Sequence, residues 1–211
     1  MINKNLILMG MPGSGKGTLA KELIKISKLK HISTGNILRN EIQNKTELGR
    51  LVEEIMAQGK YVSDDILNEM VKKTLLDAKE NNELIILDGY PRTINQAKFL
   101  DSLNIEFKIV ELVAPLNLIT KRLSGRRECP KCKASYNVFF QPPKQENKCD
   151  LDAQELVARK DDNAESIAKR LEIFKKETSP LFEYYKSKNN LIKISSESNP
   201  KLIAIELLKS L

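Results

Sequence analysis

Gly10-Met11-Pro12-Gly13-Ser14-Gly15-Lys16-Gly17-Thr18 follows a short apolar run, Leu6-Ile7-Leu8-Met9, and precedes an amphipathic run carrying Leu19, Leu23 and Ile26. The order is strand, glycine-rich loop, helix, which is the context that a phosphate-binding P-loop needs. Glycine lets the backbone wrap closely enough for several N–H groups to point at one phosphate. The helix N-terminus adds partial positive charge, and Lys16 adds a full one. An ordinary glycine-rich turn would not need both a strand before it and a helix after it.

Composition narrows the possibilities. With 211 residues, 41% hydrophobic and 30% charged, the chain can hold one core domain plus a small insertion, and it reads as a soluble globular protein. No apolar run approaches bilayer-spanning length. The N-terminus enters its first strand almost at once, with no room for a signal or transit peptide, so the expected location is the cytoplasm. The net charge of +7 invites a nucleic-acid reading. Much of that excess, however, is lysine scattered on helix faces, where a solvated surface explains it. The arginines instead cluster where polyanionic substrates would need them.

Strand-like runs with β-branched residues recur at Leu6–Met9, Leu84–Leu87, Phe107–Val113 and Leu191–Ile194, with a weaker one near Lys30–Ile32. Helical patterns separate them, which argues for an α/β fold: a parallel-sheet P-loop NTPase core with helices on both faces. From Ser63 onward, for example, Ser63 can cap, Asp64 and Asp65 suit the first turn, and Ile66, Leu67, Met70, Val71, Thr74 and Leu75 share one face. Two segments break the alternation. Residues 34–63 are helical without a strand, and residues 125–160 carry Gly, Cys, Pro-Pro and polar residues. Both read as insertions at the loops leaving the carboxyl ends of strands, where ligands bind in open α/β sheets. The core domain is then 1–33, 64–124 and 161–211.

One detail of the loop is specific. The hydroxyl that usually follows the P-loop lysine directly is displaced by Gly17 onto Thr18, a form that resembles the nucleoside monophosphate kinases. Further strings occur in order: Ile32-Ser-Thr-Gly-Asn-Ile-Leu-Arg39, Leu87-Asp-Gly-Tyr-Pro-Arg92-Thr-Ile-Asn-Gln96, Lys121-Arg122-Leu-Ser-Gly-Arg126-Arg127, Ala158-Arg159-Lys-Asp-Asp-Asn163 and Lys169-Arg170-Leu. With the P-loop, these motifs together resemble the adenylate kinase family, in its long-lid, zinc-binding bacterial form.

The resemblance implies phosphoryl transfer from MgATP to AMP, giving two ADP, with 34–63 as an AMP-binding arm and 125–160 as an ATP lid. It implies ATP contacts from Gly13, Ser14, Gly15, Lys16, Gly17, Thr18, Arg122 and Arg126, with Arg122 stacked on the adenine. It implies AMP contacts from Thr34, Arg39, Val62, Gly89, Arg92, Gln96, Arg159 and Arg170. Lys16, Arg92, Arg126, Arg159 and Arg170 would carry the catalytic charge. Such a ring of cations makes physical sense, because two phosphate chains brought end to end would otherwise repel. No general base is evident, and His31, the single histidine, reads as structural. None is needed, because an AMP phosphate oxygen is already anionic. Asp88, ending its apolar run, can reach magnesium or its waters, a role favoured here over that of a turn-forming aspartate. The family usually carries Asp at Asn36, and Ser195–Lys201 does not reproduce its usual adenine-side loop.

The cysteines fall within the lid as Cys129-Pro-Lys-Cys132, sixteen intervening residues, then Cys149-Asp-Leu-Asp152. Zinc accepts three thiolates and one carboxylate oxygen in a closed tetrahedral site, here Cys129, Cys132, Cys149 and Asp152, with Asp150 as the rival ligand. Zinc-bearing lids of the family look similar, and a small lid needs a metal in place of a core. Other readings remain: a kinase for another nucleoside monophosphate, or one using GTP. More distant is a zinc-ribbon nucleic-acid-binding protein using Tyr136, Phe139 and Phe140, although these aromatics fit a small lid core better. A GTPase would want Asn-Lys-x-Asp, and the nearest string, Asn44-Lys45-Thr46-Glu47, ends in Glu. The expected partners are ATP, AMP and ADP, with no nucleic acid and no membrane, and the expected state is a monomer.

Overall fold

The computed structural model describes residues 4–211. Five parallel strands form its centre: β1 (Asn5–Met9), β2 (Lys30–Ser33), β3 (Ile85–Asp88), β4 (Phe107–Val113) and β7 (Leu191–Ser195), in the order β2-β3-β1-β4-β7. β1 lies between β3 and β4, with Ile7 in register with Leu87 and Ile109. Leu6 to Met9 are all buried, as an uninterrupted apolar run requires when a parallel strand is covered on both faces.

Alternation along β1 divides the core in two. Ile7 and Met9, with Leu87 and Ile109, pack against Leu67, Val71 and Leu75 of α4 (Asp64–Glu80), Leu100 of α5 (Ile94–Ser102) and Leu181 of α8 (Pro180–Ser187). Leu6 and Leu8, with Ile86 and Val110, pack against Leu19 and Leu23 of α1 (Lys16–Ile26) and Leu207 of α9 (Pro200–Ser210). The expected α/β architecture is therefore observed, including β2 at the edge from the weak Lys30–Ile32 signal. One local expectation is corrected. Ser63 occupies the N-cap of α4, but its hydroxyl makes no capping bond. Asp64 is turned instead toward Thr93 (2.8 Å) and Gln96 (2.7 Å).

Residues 34–63 contain α2 (Thr34–Gln43) and α3 (Glu47–Ala57), joined by a turn that Thr46 closes by accepting from the Gly49 N–H at 3.0 Å. The helices cross so closely that a Cβ on Gly49 would lie 2.1 Å from the Glu41 carbonyl oxygen. Backbone cannot rotate away as a side chain can. Gly49→Ala is expected to lose about 1–3 kcal/mol in denaturant unfolding, with the crossing of α2 and α3 forced apart; an unchanged midpoint would contradict that tight crossing.

After α6 (Leu116–Ser124), residues 125–160 form a two-stranded antiparallel ribbon, β5 (Arg126–Glu128) with β6 (Ser135–Asn137), extended by a bridge from Glu128 to Val157. Its own buried cluster is small: Cys129, Tyr136, Cys149 and Leu156, with Ala134 partly covered. Only Tyr136 of the three aromatics belongs to it. Phe139 and Phe140 are 55% and 49% exposed, which corrects the expectation that they fill a lid core. The ribbon is too thin to cover them. The chain returns through α7 (Ala164–Ile173), widens into a π-helical turn at Phe174–Thr178, and continues into α8 behind Pro180.

Candidate active site

The carboxyl ends of β1 and β3 open onto one hollow of about 940 Å³. The loop after β1 supplies the P-loop, shaped by glycines that no other residue could replace without strain. Gly10 has φ +141°, and a Cβ there would meet the Leu112 carbonyl oxygen at 2.5 Å. Gly15 stands at the N-cap of α1 in the left-handed region, φ 100°. Gly13, Ser14, Gly15, Lys16, Gly17 and Thr18 all line the hollow. The Ser14 hydroxyl, however, is buried without a partner, and its backbone N–H donates to the Met11 carbonyl at 3.0 Å.

Lys16 Nζ donates to the carbonyls of Gly10 (2.9 Å) and Met11 (3.0 Å). Burial lowers its pKa to about 8, Asp88 partly offsets this, and the charges of Arg92, Arg170 and Arg126 lower it further. Beside it Asp88, at the end of β3, stays below the usual carboxylate range. Burial works the other way, but His31 and Lys16 outweigh it, with His31 Nε2 3.4 Å from Asp88 Oδ2. This pairing gives His31, read from the sequence as structural, a place in the wall of the hollow.

Six arginines reach the same hollow from separate elements: Arg39 on α2, Arg92 after β3, Arg122 on α6, Arg126 on β5, Arg159 before α7 and Arg170 on α7. Arg39 is held by a neutral acceptor, Asn36 Oδ1 at 2.6 Å. Burial, with Arg159 nearby, lowers its pKa to about 10. Arg126 is different: burial disfavours its charge, but Asp162, bonded to Nε at 2.7 Å, more than reverses this and raises its pKa. Arg170 also bonds Asp162, at 3.0 Å, and pairs with Asp161 at 2.9 Å. Arg159 Nε donates to Glu128 at 2.6 Å. Asp162 therefore bridges Arg126 and Arg170, and the carboxylates offset the mutual repulsion of cations gathered from separate elements.

Arg122 is clamped in one plane. Its guanidinium donates to the Ser14 carbonyl (3.2 Å), Ser196 Oγ (3.1 Å) and the Ser196 carbonyl (2.6 Å). The Phe140 ring centroid lies 5.9 Å from its Cζ. Ser196 to Lys201 line this end, so the divergent C-terminal loop still borders the hollow.

A smaller cavity of about 70 Å³ adjoins at Arg39, Arg92 and Arg170 and is lined by Thr34 and Val62. Thr34 Oγ1 donates to the Gly89 carbonyl at 3.0 Å, and Gly89 borders the larger hollow. Gln96 borders neither cavity. It is fully buried, accepting from the Arg92 N–H and donating to Asp64, each at 2.7 Å. The two inserted segments meet above: Lys160 pairs with Glu53 at 2.7 Å, and Gln43 Nε2 donates to the Pro130 carbonyl at 3.4 Å.

Phe140, expected in a lid core, lines the hollow instead; Asp161, Asp162, Glu128 and Tyr61 were not singled out from the sequence. The two aspartates stand within the Arg159-Lys-Asp-Asp string and could have been. Nothing local marks Glu128 or Tyr61, whose partners lie far along the chain.

Cys129, Cys132, Cys149 and Asp152 present ligand atoms all within 4.8 Å of one another, a donor set compatible with a metal ion. Tetrahedral zinc would hold sulfurs about 3.8 Å apart, and Cys132 and Cys149 stand at 3.5 Å. The rival Asp150 is committed elsewhere, accepting from the Lys144 N–H at 2.8 Å.

A hollow with a P-loop at one wall, six arginines around it and two segments folded over it suits two phosphorylated ligands rather than one. The family model described as adenylate kinase matches residues 8–190. The adenylate kinase of Mycoplasmopsis pulmonis is 48% identical over 97% of this chain and 96% of its own length. That of Mycoplasma mobile is 48% identical over 98% and 97%, and that of a Hydrogenobaculum species 43% identical over 98% and 99%. Motifs, geometry and likeness over nearly the whole length agree: this chain belongs to the adenylate kinase family.

Proposed function

We propose that this hollow transfers a phosphoryl group reversibly between MgATP and AMP, giving two ADP. The observation that carries the reading is the convergence of Lys16 and six arginines, from separate elements, on one P-loop cavity. The P-loop backbone and Lys16 would take the β- and γ-phosphates of ATP, and the Arg122 guanidinium would stack on the adenine. Arg39 and Arg92 would take the AMP phosphate, with Thr34 and Val62 bordering the nucleoside. Gln96 would contact the base only after giving up its bond to Asp64. Arg126, Arg159 and Arg170 would surround the group in flight.

The chemistry then rests on position and charge. An AMP phosphate oxygen needs no proton removed, so the side chains align the two ends and neutralise the charge that develops on the equatorial oxygens. Magnesium, bound with ATP, would neutralise phosphate charge and polarise the transferring group; the ionised Asp88 beside Lys16 suits it, through water. Residues 34–63 and 125–160, as acceptor arm and lid, would exclude water that could otherwise take the phosphoryl group.

In the lid we infer a structural Zn²⁺ on Cys129, Cys132, Cys149 and Asp152, because four protein donors leave no open position for chemistry. Metal analysis returning one zinc per chain is expected. The enzyme is proposed to act as a cytoplasmic monomer on small molecules, without nucleic acid; no helix among the described residues is long and apolar enough to cross a membrane.

A coupled assay across nucleoside monophosphates tests the acceptor. AMP is expected to exceed GMP, CMP and UMP by at least about tenfold in kcat/KM. CMP or UMP outrunning AMP would replace this reading with a kinase for another monophosphate, and GTP outrunning ATP would reassign the donor.

A further inference from the structure

Arg126, Arg159 and Arg170 are each paired with carboxylates that take up part of their N–H donors and offset their charge. Arg92 is held differently. Its Nε donates to the Gly89 carbonyl at 2.7 Å, its backbone N–H to Gln96 Oε1 at 2.7 Å, and its own carbonyl accepts from Thr178 Oγ1 at 2.9 Å. The remaining contact is aromatic: its Cζ stands 4.9 Å from the centroid of the Tyr61 ring. Among the described residues, neither Nη nitrogen of Arg92 has a hydrogen-bond partner.

Tyr61 is fixed in turn. Its hydroxyl lies 3.0 Å from Thr178 Oγ1. The single Thr178 proton goes to the Arg92 carbonyl, so Tyr61 must be the donor in that second bond. Thr178 is buried and closes the π-helical turn Phe174–Thr178, a widening that recurs where a helix serves a site. One small network therefore ties Tyr61, at the end of the 34–63 segment, to Arg92 behind β3 and to the C-terminal core.

The choice of ring over carboxylate has a chemical consequence. A carboxylate would orient the guanidinium by occupying its N–H donors and cancelling its charge. The face of a tyrosine ring attracts the cation through its quadrupole and takes no donor. Nε is already spent on Gly89, so the ring fixes the plane while both Nη groups stay available for an anion.

We propose that Tyr61 is a positioning residue for the acceptor phosphate: it holds the Arg92 guanidinium flat and undischarged, so that its paired Nη donors meet the phosphate of the nucleoside monophosphate. This rests on the reading that Arg92 binds that phosphate.

The test uses the full chain and compares Tyr61→Leu, Tyr61→Phe and Arg92→Lys, reading KM for AMP and for ATP separately, with thermal melting alongside. Tyr61→Leu keeps apolar bulk and removes the ring; it is expected to raise the AMP KM about tenfold and the ATP KM less than about twofold. Tyr61→Phe keeps the ring and is expected to recover most of that loss. An AMP KM unchanged in Tyr61→Leu, or both KM values rising together, overturns the proposal. If Arg92→Lys also leaves the AMP KM unchanged, the failure lies in the reading of Arg92; if Arg92→Lys raises it and Tyr61→Leu does not, the failure lies in Tyr61.

Discussion

Lys16→Met is expected to lower kcat/KM by about 10³-fold or more while leaving the fold intact. Methionine matches the stem in length and removes only the ammonium. In the structure that ammonium rests on the carbonyls of Gly10 and Met11, two neutral acceptors that a phosphate oxygen can replace. Its position deep in the hollow is also why its pKa falls to about 8. Phosphates would raise it again, since an adjacent anion favours the charged form. Binding must therefore take up a proton above about pH 8, and ATP affinity should weaken as pH rises through that value. Calorimetry at pH 8.5 in buffers of different ionisation enthalpy reads the uptake directly. Stability responds in the opposite sense. Between about pH 8 and the ordinary value of 10.5, the unfolded chain holds a proton that the native chain has released, so this residue's contribution to stability rises with pH. A Lys16→Met enzyme within tenfold of the parent would remove the lysine from the mechanism.

Stripping the zinc proposed for residues 125–160 is expected to have the next largest effect, lowering kcat by about 10- to 100-fold without unfolding the sheet. The buried cluster of the lid contains little besides Cys129, Tyr136, Cys149 and Leu156. Metal binding in small closed sites contributes about 10–16 kcal/mol of folding free energy, far beyond what those few side chains supply. The damage would travel a short way. Glu128 adjoins Cys129, exchanges backbone hydrogen bonds with Val157 at 2.8 and 3.0 Å, and holds Arg159. Loosening the knuckles therefore releases Arg159 and the strand that carries Arg126. Limited proteolysis of chelated protein should cut within residues 126–160 and spare the core. Full kcat in protein shown by metal analysis to be stripped would contradict this role.

The P-loop half of the hollow was legible because its pattern is local. A strand, a glycine loop and a helix follow one another within the chain, and each arginine sits in a recognisable string. The five sheet strands were legible for the same reason, even β2, whose signal was slight. Within the lid, β5 and β6 are three residues each, too short to show a period. Phe139 and Phe140 were assigned to a core that so small a ribbon cannot build. Gln96 lies on the expected helix, yet its amide is spent on Arg92 and Asp64, a use that depends on a residue 32 positions away. Glu128 and Tyr61 were invisible because a carboxylate or a ring acquires its role from the guanidinium that folding brings beside it.

The meeting of the two inserted segments has a consequence for turnover. Lys160 and Glu53 are 78% and 47% exposed, and such a solvated pair contributes about 0–1 kcal/mol. The Gln43 to Pro130 contact, at 3.4 Å, is long and exposed. So slight a clasp cannot by itself keep the mouth shut against thermal agitation. On the proposed function, bound nucleotide rather than this clasp would decide whether the enclosure stays sealed, and spent products would meet a door without a lock.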